Sequence, residues 1–204
     1  MLNATQIATL HDTLTRVWHE PASPTDLPSD DPWQLLVARQ HRANFDLWHT
    51  EDQARAPEAS DTEIAQVKRK IDKTNQLRND LVEEIDRTLL DWLGARTLPN
   101  PAAPLHSETA GLIVDRLSIL SLKIFHTREQ AERVDATEEH RSRNLDRLEL
   151  LEQQRADLTA CLADLWAETL AGRRRFKLYL QMKMYNDPSL NPAIYEKKTP
   201  KSTL

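Results

Sequence analysis

The sequence predicts an all-α protein, an antiparallel bundle of four long helices with an extra short N-terminal helix and a C-terminal helix. Three observations support this fold class. Only 3 of the 204 residues are glycine, and so few residues able to adopt positive φ angles indicate long elements with few tight turns. Charged residues make up 29% of the chain and apolar residues 39%, as in helices that bury one stripe. Apolar residues also recur at alternating spacings of three and four, which is the helical period.

The first two predicted helices flank a loop rich in proline, serine and aspartate. The first helix runs from about Thr5 to His19, where apolar residues recur at helical spacing. The loop, EPASPTDLPSDD, ends in polar capping residues just before Pro32. A proline at the first helical position loses no hydrogen bond, because its missing N–H has no intrahelical partner there. The second helix therefore begins at Pro32 and extends to about Arg55, before Pro57.

Capping signals and breaks in the apolar period place the next three helices. Ser60 and Glu63 have the spacing of a capping box, which predicts the start of a third helix that ends at Gly94. A fourth helix is expected to begin near Ser107. The apolar period lapses at 134–137, so we expect a break there and a fifth helix after it.

The C-terminal part of the chain differs from the rest in charge. From Gly172 onward there are eight Lys or Arg and two Asp or Glu, so the formal charge of −5 divides into +6 here and −11 on the preceding residues. The segment RRRFKLYLQMKMY predicts a further helix, and the proline-containing tail 188–204 is expected to be extended. Residues 1–187 then form one helical-bundle domain. The acidic surface of this domain would repel the phosphate backbone of a nucleic acid. We therefore expect the basic C-terminal segment to contact a local anionic group or to form a homodimer interface.

Composition excludes several classes of protein. No apolar run approaches the roughly 18 residues of a membrane-spanning helix. The N-terminal stretch carries His11 and Asp12 where a secretory signal would be continuously apolar. The single cysteine, Cys161, allows neither an intramolecular disulfide nor a cysteine cluster for a metal. These features together favour a cytoplasmic protein.

A polar stripe on the second helix is the basis of the functional prediction. The stretch HRANFDLWHTEDQAR places six side chains on one face of a helix with 3.6 residues per turn. A face that combines indole, amide, carboxylate and guanidinium groups is unusual for a helix that only packs or is only solvated. The six residues are His41, Asn44, Trp48, Glu51, Asp52 and Arg55.

The third helix carries a second polar stripe, which includes Asn75 and Asn79 beside Arg78. Because a buried, unpaired guanidinium costs several kcal/mol, Arg78 should meet a carboxylate, and we expect Glu51 or Asp52 to supply it. The two stripes would then form one site between the helices. The alternative is a purely structural polar layer that fixes the register of the helices.

The predicted fourth helix offers a third wall for this site. Asp115 and Lys123 lie about two helical turns apart on it and would each contribute a charged group. His126 follows on the same helix, and we expect it on a solvated face.

Metal binding has a weaker signal. The spacing Asp46-x-x-His49-x-x-Asp52 resembles half of a carboxylate-bridged di-iron site, but no second acid-x-x-His motif pairs with it. We therefore assign no metal ligand and no cofactor. A Mg²⁺ site remains the alternative, because Mg²⁺ prefers oxygen ligands and suits phosphates. Its carboxylates would come from Glu51, Asp52, Asp72 or Glu83.

Three stretches resemble an uncharacterised bacterial family, the domain of unknown function numbered four-two-five-four. They are NFDLWHTEDQAR at Asn44–Arg55, IDKTNQLRNDLVEEID at Ile71–Asp86 and DRLSILSLKIFH at Asp115–His126. The resemblance extends from about residue 30 to Asp187. It implies a helical fold and a link to glycosyl transfer and cell-envelope polysaccharides, and it supplies no catalytic residue.

Two hypotheses of different classes follow for function. In the first, the bundle binds or acts on a small anionic ligand that resembles a phosphate or a sugar nucleotide, with Glu51 or Asp52 as the acid/base group. A Mg²⁺-dependent phosphate or pyrophosphate hydrolase is a variant of it. In the second, the protein is a non-catalytic adaptor that docks a glycosyl-transfer enzyme, with its stripes closed by salt bridges. The ligand-binding residues of the first hypothesis are His41, Asn44, Trp48, Arg55, Asn75, Arg78, Asn79, Asp115 and Lys123.

Overall fold

The computed structural model describes residues 3–21, 29–182 and 188–192, which contain five α-helices and no β-strand. The all-α prediction is therefore confirmed. Within these ranges no helix is both long enough and apolar enough to cross a lipid bilayer. The helices are α1 (Ala4–His19), α2 (Pro32–Gln53), α3 (Asp61–Gly94), α4 (Ala110–Glu132) and α5 (Glu138–Leu170).

Each helix begins after a side chain that accepts hydrogen bonds from free backbone N–H groups of its first turn. Ser60 and Glu63 form the predicted capping box of α3. Pro32 is the first residue of α2, as expected. α4 begins a few residues later than the expected position near Ser107, because Thr109 is the residue that caps it.

α4 lies at the centre of the core and packs against each of the other four helices. Its fully buried residues Ile113, Val114 and Leu117 join Val37 of α2 and Ile85 of α3 in one apolar cluster. Burial of each such side chain stabilises the fold by about 1.5–3 kcal/mol. Because α4 touches every other helix, polar side chains on α4 can meet groups from all of them.

The predicted C-terminal helix is wrong over residues 173–182, which are not helical. α5 ends before Gly172, whose φ of 70° is the left-handed conformation that terminates helices. The following segment packs on the connection between α3 and α4: the N–H of Arg175 donates to the carbonyl of Pro104 at 3.1 Å. Phe176 is buried beside it. The rest of that predicted helix, and most of the predicted tail, lies outside the described residues.

α3 and α4 come into close contact at Gly111. A Cβ atom at this position would lie 2.6 Å from the carbonyl oxygen of Val82 and 2.9 Å from Oδ1 of Asp86. The N–H of Gly111 donates to the same Oδ1 at 2.7 Å. Burial raises the pKa of Asp86 from 3.8 to about 6. Glycine is thus needed here for space, and the junction fixes α4 against α3.

Candidate functional site

A cleft of about 620 Å³ opens between α2 and α3, with apolar residues of α4 at its base. The two polar stripes predicted from the sequence both contribute to it, together with Lys68 and Asp72 of α3. The residues of the predicted site that line this cleft are Asn44, Trp48, Glu51, Asp52, Arg55, Asn75 and Arg78.

The guanidinium of Arg78 is anchored by Asp115 of α4, so the predicted pairing with Glu51 or Asp52 is wrong. Nε donates to Oδ1 at 2.7 Å, and a terminal nitrogen donates to Oδ2, which is the two-pronged geometry that orients a guanidinium. This hydrogen-bonded carboxylate raises the pKa of Arg78. The expected pair does not form because Arg78 faces α4, while Glu51 pairs with Arg55 one turn away at 3.0 Å.

Asp115 collects polar groups from α2 and α3 although its side chain is only 6% exposed. In addition to Arg78, it accepts a hydrogen bond from Nε2 of Gln40 at 2.7 Å and from Nδ2 of Asn44 at 2.9 Å. Asn44 also donates to Oγ of Ser118 at 2.9 Å. These donors satisfy a carboxylate that burial would otherwise penalise strongly.

Asp115 and three other residues of the predicted site do not line the cleft. His41 is fully buried, with Nδ1 2.7 Å from Oγ of Ser118 and Nε2 2.9 Å from Oγ1 of Thr15. Lys123 lies in a separate groove between α4 and α5. The side-chain nitrogen of Asn79 is buried and has no hydrogen-bond partner within the part of the chain that the structure describes.

A chain of polar groups continues from His41 to a second cavity. Oγ1 of Thr15 lies 3.1 Å from Oγ of Ser121, and this serine donates to Asp12 at 2.8 Å. Asp12 in turn pairs with Arg155 of α5, and both line a cavity of about 500 Å³. Sequence reasoning did not find this chain, because it joins residues of α1, α2, α4 and α5 that meet only when these four helices pack.

A further group, the histidine cluster, consists of His19, His49 and His126. These residues belong to α1, α2 and α4, and one ring nitrogen of each lies within 4.8 Å of the others. The Nε2 atoms of His19 and His49 are 3.1 Å apart. His126 is not on a solvated face as expected, because its ring stacks on Trp48 with centroids 5.0 Å apart and its Nε2 is buried. Sequence reasoning missed the cluster, since three single histidines from three helices form no motif.

The fold and the site together define an all-α domain with an internal polar layer and a cleft between two of its helices. A family model described as Protein of unknown function (DUF4254) matches residues 34–178. The chain belongs to this family, as the resemblance of its three stretches implied. The matched range contains the cleft, His49 and His126, while α1 with His19 precedes it. No curated protein and no solved structure matches the chain.

Proposed function

We propose that the cleft binds a small anionic ligand of the phosphate or sugar-nucleotide type. The observation that carries this proposal is the state of Arg78, which lines the cleft while Asp115 fixes it from within the bundle. Its bonds to Asp115 and Asn75 use three of the five N–H donors of a guanidinium. The others remain for a ligand. A guanidinium held in this way matches the paired oxygens of a phosphate or carboxylate.

The remaining lining fits the other parts of a sugar phosphate. Trp48 provides an apolar wall for a sugar or base ring, and Asn75 and Asp52 provide hydrogen-bonding groups for hydroxyls. For a catalysed reaction we propose Glu51 or Asp52, which both line the cleft, as the acid/base group or as the carboxylate that holds Mg²⁺ through water.

The charges of the cleft favour a ligand that is only partly anionic. Its cations and carboxylates are equal in number, so a bare polyphosphate would meet as many repulsive as attractive groups. A ligand that combines one or two phosphates with hydroxyl groups can use both kinds of side chain. The charged residues that line the cleft are Arg55, Lys68, Arg78, Glu51, Asp52 and Asp72.

The proposal includes two finer points, a role in cell-envelope glycan metabolism and an antiparallel arrangement of the long helices. Arg39 of α2 approaches Glu84 of α3 at 3.7 Å, and Arg55 lines the same cleft as Lys68. Residue numbers that rise on α2 as they fall on α3 support antiparallel pairing of these two helices. The adaptor hypothesis expects salt-bridged stripes with no cavity between them. Ion pairs are present, but the cavity of about 620 Å³ favours a ligand over an adaptor.

Thermal unfolding of the protein with nucleotide sugars, sugar phosphates and polyphosphates, each with and without Mg²⁺, tests the proposal. We expect a sugar phosphate or nucleotide sugar to raise the melting temperature. In calorimetry, Asn75→Ala and Asp52→Asn should each weaken its binding about tenfold, the effect of losing one good hydrogen bond. Arg116→Gln is the matched control, because Arg116 lines a different groove. The proposal fails if no ligand shifts the melting temperature, or if both cleft variants bind as tightly as the wild type.

A further inference from the structure

We infer that the histidine cluster is a binding site for a divalent transition-metal ion, Zn²⁺ in the first instance, through the Nε2 atoms of His19, His49 and His126. Neutral imidazole nitrogen is the form in which histidine binds zinc. Three protein ligands leave a fourth tetrahedral position for water or a ligand atom. The inference does not depend on the proposed function of the cleft.

Hydrogen bonds on the far side of two of the rings fix the position of their protons. Nδ1 of His19 lies 2.6 Å from the carbonyl oxygen of Thr15, and Nδ1 of His49 lies 2.8 Å from the carbonyl oxygen of Phe45. A carbonyl oxygen can only accept a hydrogen bond, so both Nδ1 atoms carry the proton. In the neutral rings the Nε2 atoms therefore present lone pairs.

These two lone pairs face each other across 3.1 Å. Two acceptors at this distance repel each other unless a cation lies between them. A proton shared by these two nitrogens would still leave Nε2 of His126 without a partner among the described residues. A metal ion is the cation that both nitrogens can bind at once.

His126 has the same arrangement. Its Nδ1 lies 2.7 Å from a carboxylate oxygen of Glu129, so its Nε2 also presents a lone pair. That Nε2 is buried and has no hydrogen-bond partner among the described residues. A carboxylate or carbonyl behind each histidine is the usual support of zinc ligands, because it orients the ring and makes Nε2 a stronger base.

The dimensions of the cluster suit zinc. With Zn–N bonds of about 2.0–2.1 Å, the nitrogens of a tetrahedral site lie roughly 3.3–3.4 Å apart. The His19–His49 distance of 3.1 Å is close to this value, and the third nitrogen is within 4.8 Å of both. Aromatic neighbours hold the rings: Phe125 stacks on His19 at 4.2 Å and Trp48 on His126 at 5.0 Å between centroids.

The three imidazole nitrogens determine which metal ions the cluster can bind. Mg²⁺ and Ca²⁺ take oxygen ligands, so neither suits three imidazoles. Imidazole suits Zn²⁺, Cu²⁺ and Ni²⁺, and three histidines with one open tetrahedral position are typical of zinc. This cluster is therefore distinct from the Mg²⁺ site that carboxylates of the cleft would form.

Titration of tag-free, chelator-treated full-length protein with Zn²⁺ by calorimetry tests the inference, with Co²⁺ as a visible probe because its tetrahedral complexes absorb strongly. We expect one equivalent to bind, a rise in melting temperature, and the absorption of tetrahedral Co²⁺. His49→Ala and His126→Ala should weaken Zn²⁺ binding roughly 100-fold or more. Glu129→Gln keeps all three ligands and changes only the carboxylate behind His126. It should weaken Zn²⁺ binding about tenfold and so separates an effect on metal affinity from an effect on folding.

His106→Ala is the matched control. Nδ1 of His106 also lies near a backbone carbonyl, that of Glu108 at 2.7 Å, but this residue is not in the cluster. The control should bind Zn²⁺ as the wild type does. Circular dichroism establishes which variants fold, and His126→Gln replaces any alanine variant that does not. The inference is overturned if wild-type protein binds neither ion, or if the cluster variants bind Zn²⁺ as tightly as His106→Ala.

Discussion

The cleft and the histidine cluster meet at Trp48, which lines the cleft and stacks on His126, but their polar groups are satisfied in opposite ways. Each cation of the cleft has a carboxylate partner. In the cluster, one ring nitrogen from each of three histidines converges, and Nε2 of His126 has no hydrogen-bond partner among the described residues. The ion pairs of the cleft are Arg78–Asp115, Arg55–Glu51 and Lys68–Asp72.

This difference shows what kind of binding each region can support. The cations of the cleft already have carboxylate partners, so a ligand has to compete with existing ion pairs for all but the remaining N–H donors of Arg78. The zinc ion that we infer would remove the repulsion between the facing lone pairs of the cluster. We therefore expect the cluster to bind Zn²⁺ more tightly than the cleft binds its ligand.

The largest change in stability is expected when the ion pair between Arg78 and Asp115 is broken. Asp115→Ala removes the acceptor of Arg78, Gln40 and Asn44, and should lower the free energy of unfolding by about 3 kcal/mol, the low end for a broken buried pair because Arg78 is partly exposed. Urea denaturation measures it. The double variant Asp115→Leu with Arg78→Met removes both charges and should recover part of the loss, since Gln40 and Asn44 still lack this acceptor. A single variant as stable as the wild type would show that the cleft is not held by this pair.

His11 provides a comparison for the histidine cluster, since it is a buried histidine that does not belong to the cluster. It stacks on His41 at 4.6 Å, and neither of its ring nitrogens has a hydrogen-bond partner in the described part of the chain. Burial lowers the pKa of His11 from 6.5 to about 3. The unfolded state therefore takes up the proton first, and the stabilisation present above pH 6.5 is lost as the pH falls towards 3.

The test is the difference in unfolding free energy between pH 7 and pH 5. His11→Leu should reduce this difference by about 2 kcal/mol, because the lost protonation linkage amounts to about 1.4 kcal/mol per pH unit below 6.5. His106→Leu is the control and should leave the difference as it is in the wild type. An equal acid sensitivity of His11→Leu and the wild type would contradict the assignment of His11 as a neutral buried ring.

A third change should act on the cleft more than on the cluster. In Gly111→Ala the new methyl group meets backbone and carboxylate atoms of α3, so α4 must shift relative to α3. We expect a loss of about 1–2 kcal/mol in urea denaturation, and weaker ligand binding in the cleft. Zn²⁺ binding should be retained, because the cluster uses no residue of α3. Gly94→Ala has open space around its Cβ and should cost no stability; if it costs as much as Gly111→Ala, crowding is not the cause.

The smallest expected effect is that of Glu51→Gln. The ion pair with Arg55 is exposed, and loss of such a pair changes the free energy of unfolding by less than about 0.5 kcal/mol. Ligand binding in the cleft should weaken measurably in the same protein. A variant that loses more than about 1 kcal/mol of stability and binds ligand normally would make Glu51 a structural residue.

Local signals made most of the fold predictable from the sequence. The capping box of Ser60 and Glu63 and the proline at position 32 act through neighbouring backbone groups, so they fix helix ends without reference to the rest of the chain. The C-terminal helix was predicted wrongly, because the conformation of residues 173–182 depends on contacts with residues far away in the sequence. Gly172 ends α5, and Phe176 and Arg175 find partners on the connection between α3 and α4.

The candidate site was predictable only where one helix determines the arrangement. Helical spacing correctly placed Asn44, Trp48 and Arg55 on one face. The partner of Arg78 was not predictable, since it depends on how α4 packs against α2 and α3. The same holds for the histidine cluster, whose members meet only after three helices have packed.

Zinc binding by the histidine cluster can be tested with an anomalous difference map from crystals of the tag-free protein with Zn²⁺, recorded on both sides of the zinc absorption edge. We expect a zinc peak bonded to Nε2 of His19, His49 and His126 at about 2.0–2.1 Å. Zinc bound only at other positions, or no zinc at these three nitrogens, would contradict it.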